Sequence, residues 1–383
     1  MDENRQSKVR WIIGGQYFLY FGVMGIFLPY FNLYCHRIGL SGSQIGALSA
    51  LKSLMMVVTP LLWAMLADRY QIRRPIYIFC LMVSTASWGL YFLTTAYAYM
   101  AAITIFYGIF HAPVISFLEA FTMDILGAKK KSYGKIRVWG SVAFISVTLI
   151  MGQLIDLFDV SIILSLIFAG GMIQTLAAFK VPSVKIGERA SLLPQIQHFF
   201  SKRIIIFLIC AFLMLVSHGA YYAFFSIHLE KSGLGGTFIG AAWALASISE
   251  IVIMMQSDRI LKRFAPEKVL VFAFLTAALR WFLLMFVRSP IMIMLLQGMH
   301  AFTYGAFHVA SIIYIDMLSP KESKTLGQAV NNAATYGLGL MVGFFISGYI
   351  YDWQGAPAMF LISGLIALSA GVIFMNVELG SRN

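Results

Sequence analysis

The sequence predicts an all-α integral membrane protein with twelve transmembrane helices, arranged as two halves of six helices each. The first observation is composition, since 60% of the 383 residues are hydrophobic and only 11% are charged. Soluble domains are about 45–50% apolar and about 25% charged. The second is the length of the apolar runs, which exclude the alternating strands of a membrane barrel. The third is an internal repeat. The polar connections are short, so no sizeable soluble domain is expected.

The apolar runs divide into twelve candidate spans, each near the length that crosses a bilayer. They lie at residues 11–34, 43–67, 75–94, 98–126, 137–157, 160–179, 203–229, 237–257, 267–287, 291–317, 327–351 and 356–376. The first run is itself long enough to span, so we expect no cleavable signal peptide. Cys35, Cys80 and Cys210 lie in or beside apolar runs and indicate no disulfide framework.

The formal net charge of +12 indicates membrane orientation rather than nucleic-acid binding. With twelve spans both chain ends lie on one side, and 23 of the 28 lysines and arginines fall on that side. Three fall on the opposite side and two lie within spans. The positive-inside rule then places both termini in the cytoplasm. We therefore expect a multi-pass protein of the bacterial inner membrane.

The chain repeats itself with an offset of 194 residues. Residues 39–53 read GLSGSQIGALSALKS and residues 233–247 read GLGGTFIGAAWALAS, with nine of fifteen positions identical. We predict two six-helix bundles, residues 1–179 and 203–383, joined by a cytoplasmic linker at residues 180–202. An even number of spans in each copy gives both bundles the same orientation. In proteins built from such parallel repeats, the solute site lies near mid-membrane between the halves.

A charged turn follows the second span and has a counterpart in the second copy. Its charged residues are Asp68, Arg69 and Arg73, and the Asp-Arg pair recurs as Asp258 and Arg259. Asp68 ends a helix among basic side chains, so it can pair with a charge or with a helix N-terminus. The turn is either an anchor for topology or a gating latch that stabilises one conformation. Neither interpretation makes it a solute site.

Ionisable residues inside apolar runs are candidates for function, because each costs roughly 2.5–3.5 kcal/mol on insertion scales. Glu119 and Arg137 are each nine residues from position 128, roughly 13 Å along a helix. Equal distance from the turn of a helical hairpin means equal depth, so the two side chains are expected to meet. They can form an ion pair that closes a gate, or they can bind the hydroxyls or carboxylate of a solute.

A second group of ionisable residues comprises Glu250, Arg280 and His300. Glu250 and Arg280 are fifteen residues from position 265, roughly 22 Å deep, and Arg280 and His300 are ten residues from Pro290, roughly 15 Å from the opposite face. All three therefore lie near the middle of a hydrocarbon core about 30 Å thick. An acid, a base and an imidazole at one depth compose either a proton relay or a structural polar network.

Other polar and aromatic residues within the spans can also contact a solute. Lys52 lies near mid-depth, and because its repeat counterpart is Ala246, the fold does not require a charge there. Isolated histidines, His218 among them, can be core or functional residues, and aromatic residues can pack or stack on a ring-shaped solute. The predicted solute contacts are Glu119, Arg137, Lys52, Tyr20, His111, Trp139, Tyr221, Tyr222 and His308.

Several stretches carry a family resemblance that covers nearly the whole chain. AMLADRYQIRR at 64–74 is similar to Gly-x-Leu-Ala-Asp-Arg-x-Gly-Arg-Arg, the loop motif of the major facilitator superfamily, with Ala64 and Gln71 replacing the glycines. FLEAF and YGKIRVWGS, at 117–121 and 133–141, resemble the lactose-permease-like branch. HAFTYGAFH and TYGLGLMVG, at 300–308 and 335–343, resemble the phenylpropionate permeases.

The resemblance implies the major facilitator fold, alternating access and a monomer. In lactose permease the matching acid and arginine are the main substrate contacts, which implies that role for Glu119 and Arg137. The span-eight glutamate that Glu250 matches is a sugar and coupling residue there, and Arg280 and His300 keep the permease's spacing of twenty. The position of the permease's proton-carrying glutamate is occupied by Thr303. We therefore expect Glu250 to be the proton carrier, with Arg280 and His300 adjusting its proton affinity.

The expected function is secondary active transport of a small organic solute, in the sugar, nucleoside or aromatic-acid class, with protons as the favoured coupling ion. One alternative is a proton-driven exporter of drugs or metabolites, and another is a non-transporting membrane sensor. The sequence has no Walker A motif, metal-ligand cluster or nucleophile elbow. It therefore predicts neither an enzyme nor a cofactor.

Overall fold

The computed structural model of the protein describes residues 3–127, 133–182, 201–320 and 323–380. All the regular elements in these ranges are helices. In chain order they are α1 (Glu3–Arg37), α2 (Gly42–Tyr70), α3 (Arg73–Gly89), α4 (Tyr97–Leu126), α5 (Tyr133–Leu157), α6 (Ile162–Ala178), α7 (Lys202–Lys231), α8 (Gly236–Met255), α9 (Ser257–Arg263), α10 (Pro266–Phe286), α11 (Pro290–Gly298), α12 (Phe307–Leu318), α13 (Lys324–Asn332) and α14 (Leu340–Gly380).

The helices confirm the predicted all-α membrane fold. Ten segments are long and apolar enough to cross a bilayer, and α6 is a shorter apolar helix of the same kind. One of the ten, Lys324–Val377, has 54 residues, enough for two crossings. It is broken at Gly355, whose φ of 77° is a left-handed conformation that favours glycine. Divided there, the described helices give the twelve predicted spans.

The chain forms two compact units. Of the described residues, the first unit contains 3–40, 54–127, 133–182 and 235–244, and the second contains 41–53, 201–234, 245–320 and 323–380. The start of α2 therefore belongs to the second unit and the start of α8 to the first. The predicted division into halves at 1–179 and 203–383 stays a prediction, and most of the predicted linker at 180–202 lies outside the described residues.

The structure gives a physical reason for the 194-residue repeat. In the second unit, the Asp352 carboxylate accepts hydrogen bonds from the backbone N–H groups of Gly42 (2.6 Å) and Ser43 (2.7 Å) at the start of α2. In the first unit, the Asp156 carboxylate accepts them from the first N–H groups of α8, at 2.5 and 2.8 Å. A carboxylate satisfies unpaired N–H groups there and complements the positive end of the helix dipole. The repeated segments are therefore two helix starts capped in the same way.

The glycines of the repeat allow close approach of helix backbones. A Cβ atom on Gly46 would lie 2.4 Å from the carbonyl oxygen of Phe344 within the second unit. A Cβ atom on Gly240, its repeat counterpart, would lie 2.6 Å from the carbonyl oxygen of Thr148 within the first unit. Both distances are too short for a real side chain, so glycine is required in both copies. Small residues at helix contacts serve the same purpose in other membrane proteins.

We predict that Asp352→Asn and Asp156→Asn each lower the thermal unfolding midpoint of the purified protein. Each substitution removes the charge and one of the two carboxylate acceptors, and losing a helix cap costs about 1 kcal/mol. The matched control is Asp159→Asn, because Asp159 is an exposed acid whose carboxylate accepts a hydrogen bond from the Ser161 backbone two residues away, at 2.8 Å. Equal midpoints in all three variants would contradict the capping role.

The charged turn is held together within the first unit by Arg73, which is 6% exposed. Its guanidinium forms ion pairs with Asp68 at 3.1 Å and with Asp124 at 2.5 Å. Gln71, which replaces the second motif glycine, has a φ of 56° and is the one described non-glycine residue with positive φ. Its side chain donates to the Asp68 carbonyl oxygen at 2.9 Å. The turn thus keeps the glycine conformation without glycine.

The gating role predicted for the charged turns stays a prediction. In the first copy, Arg73 pairs with two carboxylates within its own unit. In the second copy, Asp258 and Arg259 lie in the first turn of the short helix α9 and are less buried than Arg73. The two copies therefore differ in how far their charges are buried.

Candidate functional site

The second unit contains a buried polar cluster built around Arg280 on α10, a side chain with no exposed surface. Its Nη1 donates to His300 Nδ1 at 2.9 Å and to Thr303 Oγ1 at 3.1 Å, and its Nη2 donates to Gln297 Oε1 at 3.0 Å. Arg280 and His300 are ten residues either side of Pro290. The hairpin geometry expected from the sequence thus brings them into contact.

The positive charge of Arg280 is balanced by neutral groups only. Its three acceptors are an imidazole, a hydroxyl and an amide oxygen, and no carboxylate of the described residues lies within 4 Å of it. Its guanidinium carbon lies 4.5 Å from the Tyr221 ring centroid and 4.8 Å from that of Trp281, as in cation–π contacts. Burying a charge without a counter-ion costs several kcal/mol. This cost makes Arg280 a candidate functional residue.

Arg280 also fixes the protonation state of His300. An arginine side chain only donates hydrogen bonds, so His300 Nδ1 must accept with its lone pair. His300 is therefore neutral and carries its proton on Nε2. That atom lies 3.9 Å from Oε2 of Glu250 on α8. The imidazole therefore stands between the buried cation and the acid, with its N–H group on the side of the acid.

Thr303 lies where the permease resemblance implies a proton-carrying glutamate. Its side chain is fully buried, and its hydroxyl accepts a hydrogen bond from Arg280. The position thus keeps contact with the arginine but cannot carry a proton at physiological pH. Glu250 is the described acid nearest this cluster, because it faces His300.

Stacked rings extend the cluster along the helix that follows α11. His300 stacks on Tyr304 with ring centroids 5.3 Å apart, and Tyr304 stacks on His308 at 6.0 Å with the rings 2° from parallel. His308 Nδ1 lies 2.6 Å from the Tyr336 hydroxyl. Tyr222 packs edge-on against both His300 and Tyr304. These side chains form one aromatic surface beside Glu250.

Two of these tyrosines, Tyr304 and Tyr336, were not among the residues predicted from the sequence. Each lies in a π-helical turn, Ala301–Ala306 and Ala333–Gly339 respectively. Such turns are frequent at functional sites. A sequence signal was present, because both turns contain Thr-Tyr-Gly, at residues 303–305 and 335–337. Gln297 was missed as well, since a single uncharged amide in an apolar run gives no pattern.

Two further candidates, Lys52 and His218, also lie in the second unit. Lys52 is half-buried on α2, and the neighbouring Ser53 donates to the carbonyl oxygen of Gly337 at 3.2 Å, next to the second π-helical turn. His218 is buried on α7, where its Nδ1 lies 2.8 Å from the Met214 carbonyl oxygen. Its ring is 6.4 Å from that of His300, centroid to centroid.

The first unit places Arg137 among aromatic rings. The guanidinium carbon lies 3.8 Å from the Phe21 ring centroid and 5.5 Å from that of Tyr17, both on α1. Glu119, on α4, is close enough to interact electrostatically with Arg137, but no ion pair within 4 Å joins these two described residues. The Glu119 side chain is exposed on an apolar helix. Such a carboxylate is expected to face an aqueous cavity rather than lipid.

Tyr20 and His111 are brought together in the first unit. The His111 ring stacks on Tyr20 at 5.4 Å and on Tyr107 at 4.6 Å, between centroids. Trp139 lies elsewhere, against Trp11 near the start of α1, with ring centroids 5.5 Å apart. The solute-binding roles predicted for all these residues remain predictions.

Comparison with known proteins identifies the class of protein. The model of the MFS_1 like family matches residues 10–362, so the chain belongs to this family of major facilitator transporters. One similar protein is the "Probable 3-phenylpropionic acid transporter" of Escherichia coli K12, which is 26% identical over 95% of this chain and 96% of that protein. Another is the maltose permease of Geobacillus stearothermophilus, which is 25% identical over 90% of this chain and 89% of that protein. A crystal structure of the nucleoside transporter NupG has a TM-score of 0.86 at 17% identity, over 96% of this chain and 98% of that one.

These findings establish a multi-pass membrane protein with the major facilitator fold and the activity of a secondary transporter for small organic solutes. The resemblance inferred from the sequence motifs is confirmed. The similarity to NupG shows the fold. The solutes named for the similar proteins are those that these proteins transport.

Proposed function

We propose that the protein imports its solute by proton symport through alternating access, with both termini in the cytoplasm. The observation that carries this proposal is the buried Arg280, held by neutral acceptors and separated from Glu250 by a neutral His300. An acid near a buried cation can bind and release a proton as the distance between them changes, because the cation stabilises only the ionised acid.

The proposed coupling step is a movement of charge within the second unit. While Arg280 donates to His300, Thr303 and Gln297, Glu250 can hold a proton and is neutral. A conformational change that brings the guanidinium toward Glu250 favours the carboxylate and releases the proton. His300 is the positioning residue of this step, since its Nδ1 accepts from the arginine and its Nε2–H faces the acid.

We further propose an aromatic carboxylic acid as the solute class, bound in part by the first unit. Arg137 offers a guanidinium for the carboxylate, a pairing that is frequently bidentate. Phe21 and Tyr17 beside it, and the stacked Tyr20 and His111, offer faces for a ring. The similarity to a phenylpropionic acid transporter supports this class. A sugar is the second candidate, because the maltose permease is similar over a comparable share of the chain and Glu119 can accept hydroxyl hydrogen bonds.

The test is uptake of radiolabelled 3-phenylpropionate into proteoliposomes with an imposed pH gradient, acidic outside. We predict that Glu250→Gln lowers gradient-driven accumulation at least about 10-fold, because the amide cannot carry a proton. Counterflow, which requires no net proton movement, should be retained. Glu267→Gln, which changes an acid at the first turn of α10, is the control and should behave like the wild type.

Full accumulation by the Glu250→Gln variant would exclude Glu250 as the carrier. Acceleration of efflux rather than uptake by the same gradient would favour the exporter. Stabilisation by the compound without any flux would favour a sensor. Maltose is tested in parallel, and transport of maltose alone would replace the aromatic acid with a sugar as the solute.

A further inference from the structure

Gln297 on α11 is a fully buried amide whose oxygen joins two members of the polar cluster. Its Oε1 accepts a hydrogen bond from Arg280 Nη2 at 3.0 Å and another from the Tyr221 hydroxyl at 2.9 Å. We propose that Gln297, supported by Tyr221, is the positioning residue that holds the Arg280 guanidinium toward His300 and away from Glu250. This inference rests on the proposed proton coupling and names the residue that sets its starting geometry.

The hydrogen-bonding groups of Arg280 determine the orientation of the Gln297 amide. Arginine has no acceptor, so Gln297 must present its oxygen and not its nitrogen to Arg280. The Tyr221 hydroxyl then donates to the same oxygen, so both lone pairs are used. The amide nitrogen has no hydrogen-bond partner among the described residues. A buried donor without a partner is destabilising. The presence of glutamine at this position is therefore explained by its oxygen, which accepts the two hydrogen bonds.

The two Nη atoms of the guanidinium explain why the Gln297 oxygen determines the direction in which the Arg280 side chain points. Nη1 already binds His300 and Thr303, and Gln297 is the acceptor for Nη2 at 3.0 Å. The two ends are thereby held at once, and the plane of the guanidinium is fixed above the Tyr221 ring. Without the amide oxygen, Nη2 loses this acceptor, and the carboxylate of Glu250, which faces His300, is a strong acceptor in the same cluster.

The first unit provides a matched control in Gln16 on α1. Gln16 is also fully buried, and its Oε1 accepts a hydrogen bond from the Tyr77 hydroxyl at 2.8 Å. Its amide nitrogen donates to the Gln174 carbonyl oxygen at 3.4 Å. The two sites therefore share a buried glutamine and a tyrosine partner, and only Gln297 binds an arginine.

The first experiment compares Gln297→Leu, Gln297→Glu and Gln16→Leu in proteoliposomes with 3-phenylpropionate. For Gln297→Leu we expect accumulation driven by a pH gradient to fall about 10-fold, while counterflow stays within about 2-fold of the wild type. Gln297→Glu keeps an acceptor for Arg280 and should recover part of the accumulation. Gln16→Leu should change both activities in the same proportion. A proportional loss in Gln297→Leu as well would overturn the inference and indicate a structural role.

The second experiment reports on Arg280 without transport. Trp281 lies against Arg280, so its fluorescence responds to a displacement of the cation. The Trp281 signal is obtained by subtracting the spectrum of the Trp281→Phe variant, in each background, from the summed emission of the seven tryptophans. We expect a shifted Trp281 emission in Gln297→Leu and an unchanged one in Gln16→Leu.

The two readouts distinguish the failure of this inference from the failure of the proposed function. If Glu250→Gln keeps proton-driven accumulation but Trp281 emission shifts in Gln297→Leu, the coupling proposal is wrong and the positioning of Arg280 stands. If Trp281 emission is unchanged in Gln297→Leu, Gln297 does not position Arg280, whatever the coupling mechanism.

Discussion

Replacing Arg280 with methionine is expected to abolish gradient-driven accumulation, by about 100-fold or more, without lowering the thermal unfolding midpoint. The loss follows because the guanidinium is the cation that the proposed coupling step moves, and it makes the contacts with His300, Thr303 and Gln297. The midpoint should change little, because removing a buried charge that has no counter-ion offsets the cost of leaving its three acceptors without a donor. Purified Arg280→Met protein is measured for uptake and thermal unfolding in parallel.

Arg280→Lys should be nearly as inactive as the methionine variant, although it keeps the charge. A lysine ammonium is a point donor on a flexible stem and cannot reproduce the planar fork that reaches His300 and Gln297 at once. Strong accumulation by Arg280→Lys would show that only charge is required. It would also weaken the argument that the direction of the guanidinium matters.

Arg73 provides the opposite case and the control. Like Arg280 it is buried, but it forms ion pairs with Asp68 and Asp124. Arg73→Met leaves two partly exposed carboxylates without their cation. The expected cost is about 2 kcal/mol, between the values for exposed and buried pairs. A lower midpoint for Arg73→Met than for Arg280→Met would show that one buried arginine stabilises the fold and the other is retained for function.

The sequence was sufficient for the fold class and for one of the three predicted charge contacts, because Glu250 faces His300 rather than pairing with Arg280. Arg280 and His300 meet because they flank a short turn at Pro290, so their depths are equal and their helices are neighbours. Glu119 and Arg137 also have equal depth, but depth does not determine rotation about the helix axis. The Arg137 guanidinium lies instead against Phe21 and Tyr17. A depth argument therefore predicts proximity but not pairing.

The site residues that the sequence did not predict lie in positions that no periodic sequence pattern marks. The π-helical turns that carry Tyr304 and Tyr336 each widen the helix locally, so the faces before and after them no longer follow the 3.6-residue repeat. Gln297 is an uncharged residue whose importance depends on a neighbour seventeen positions earlier. Only three-dimensional contacts distinguish it from Gln16, which has the same burial and no arginine partner among its hydrogen bonds.

The glycines of α7 and α14 lead to the prediction with the largest effect on folding. The structure shows two helices packed closely at these glycines. A Cβ atom on Gly219 would lie 2.3 Å from the carbonyl carbon of Gly343, and one on Gly343 would lie 2.5 Å from the carbonyl oxygen of Val216. Two helix backbones are in direct contact there, so no flexible side chain can move aside.

Gly219→Leu is therefore expected to separate these helices and to lower the yield of folded, monodisperse protein severely, and Gly219→Ala to destabilise it by about 1–3 kcal/mol. The control is Gly15→Ala on α1, where a Cβ atom meets nothing within 4 Å and the substitution removes a helix-destabilising glycine. Size-exclusion chromatography and thermal unfolding are the measurements. Equal midpoints for Gly219→Ala and Gly15→Ala would contradict the backbone contact. Helix α7 carries the predicted solute contacts Tyr221 and Tyr222, and the segment before α14 carries Tyr336. A wider separation should therefore impair solute uptake even in the Gly219→Ala protein that folds.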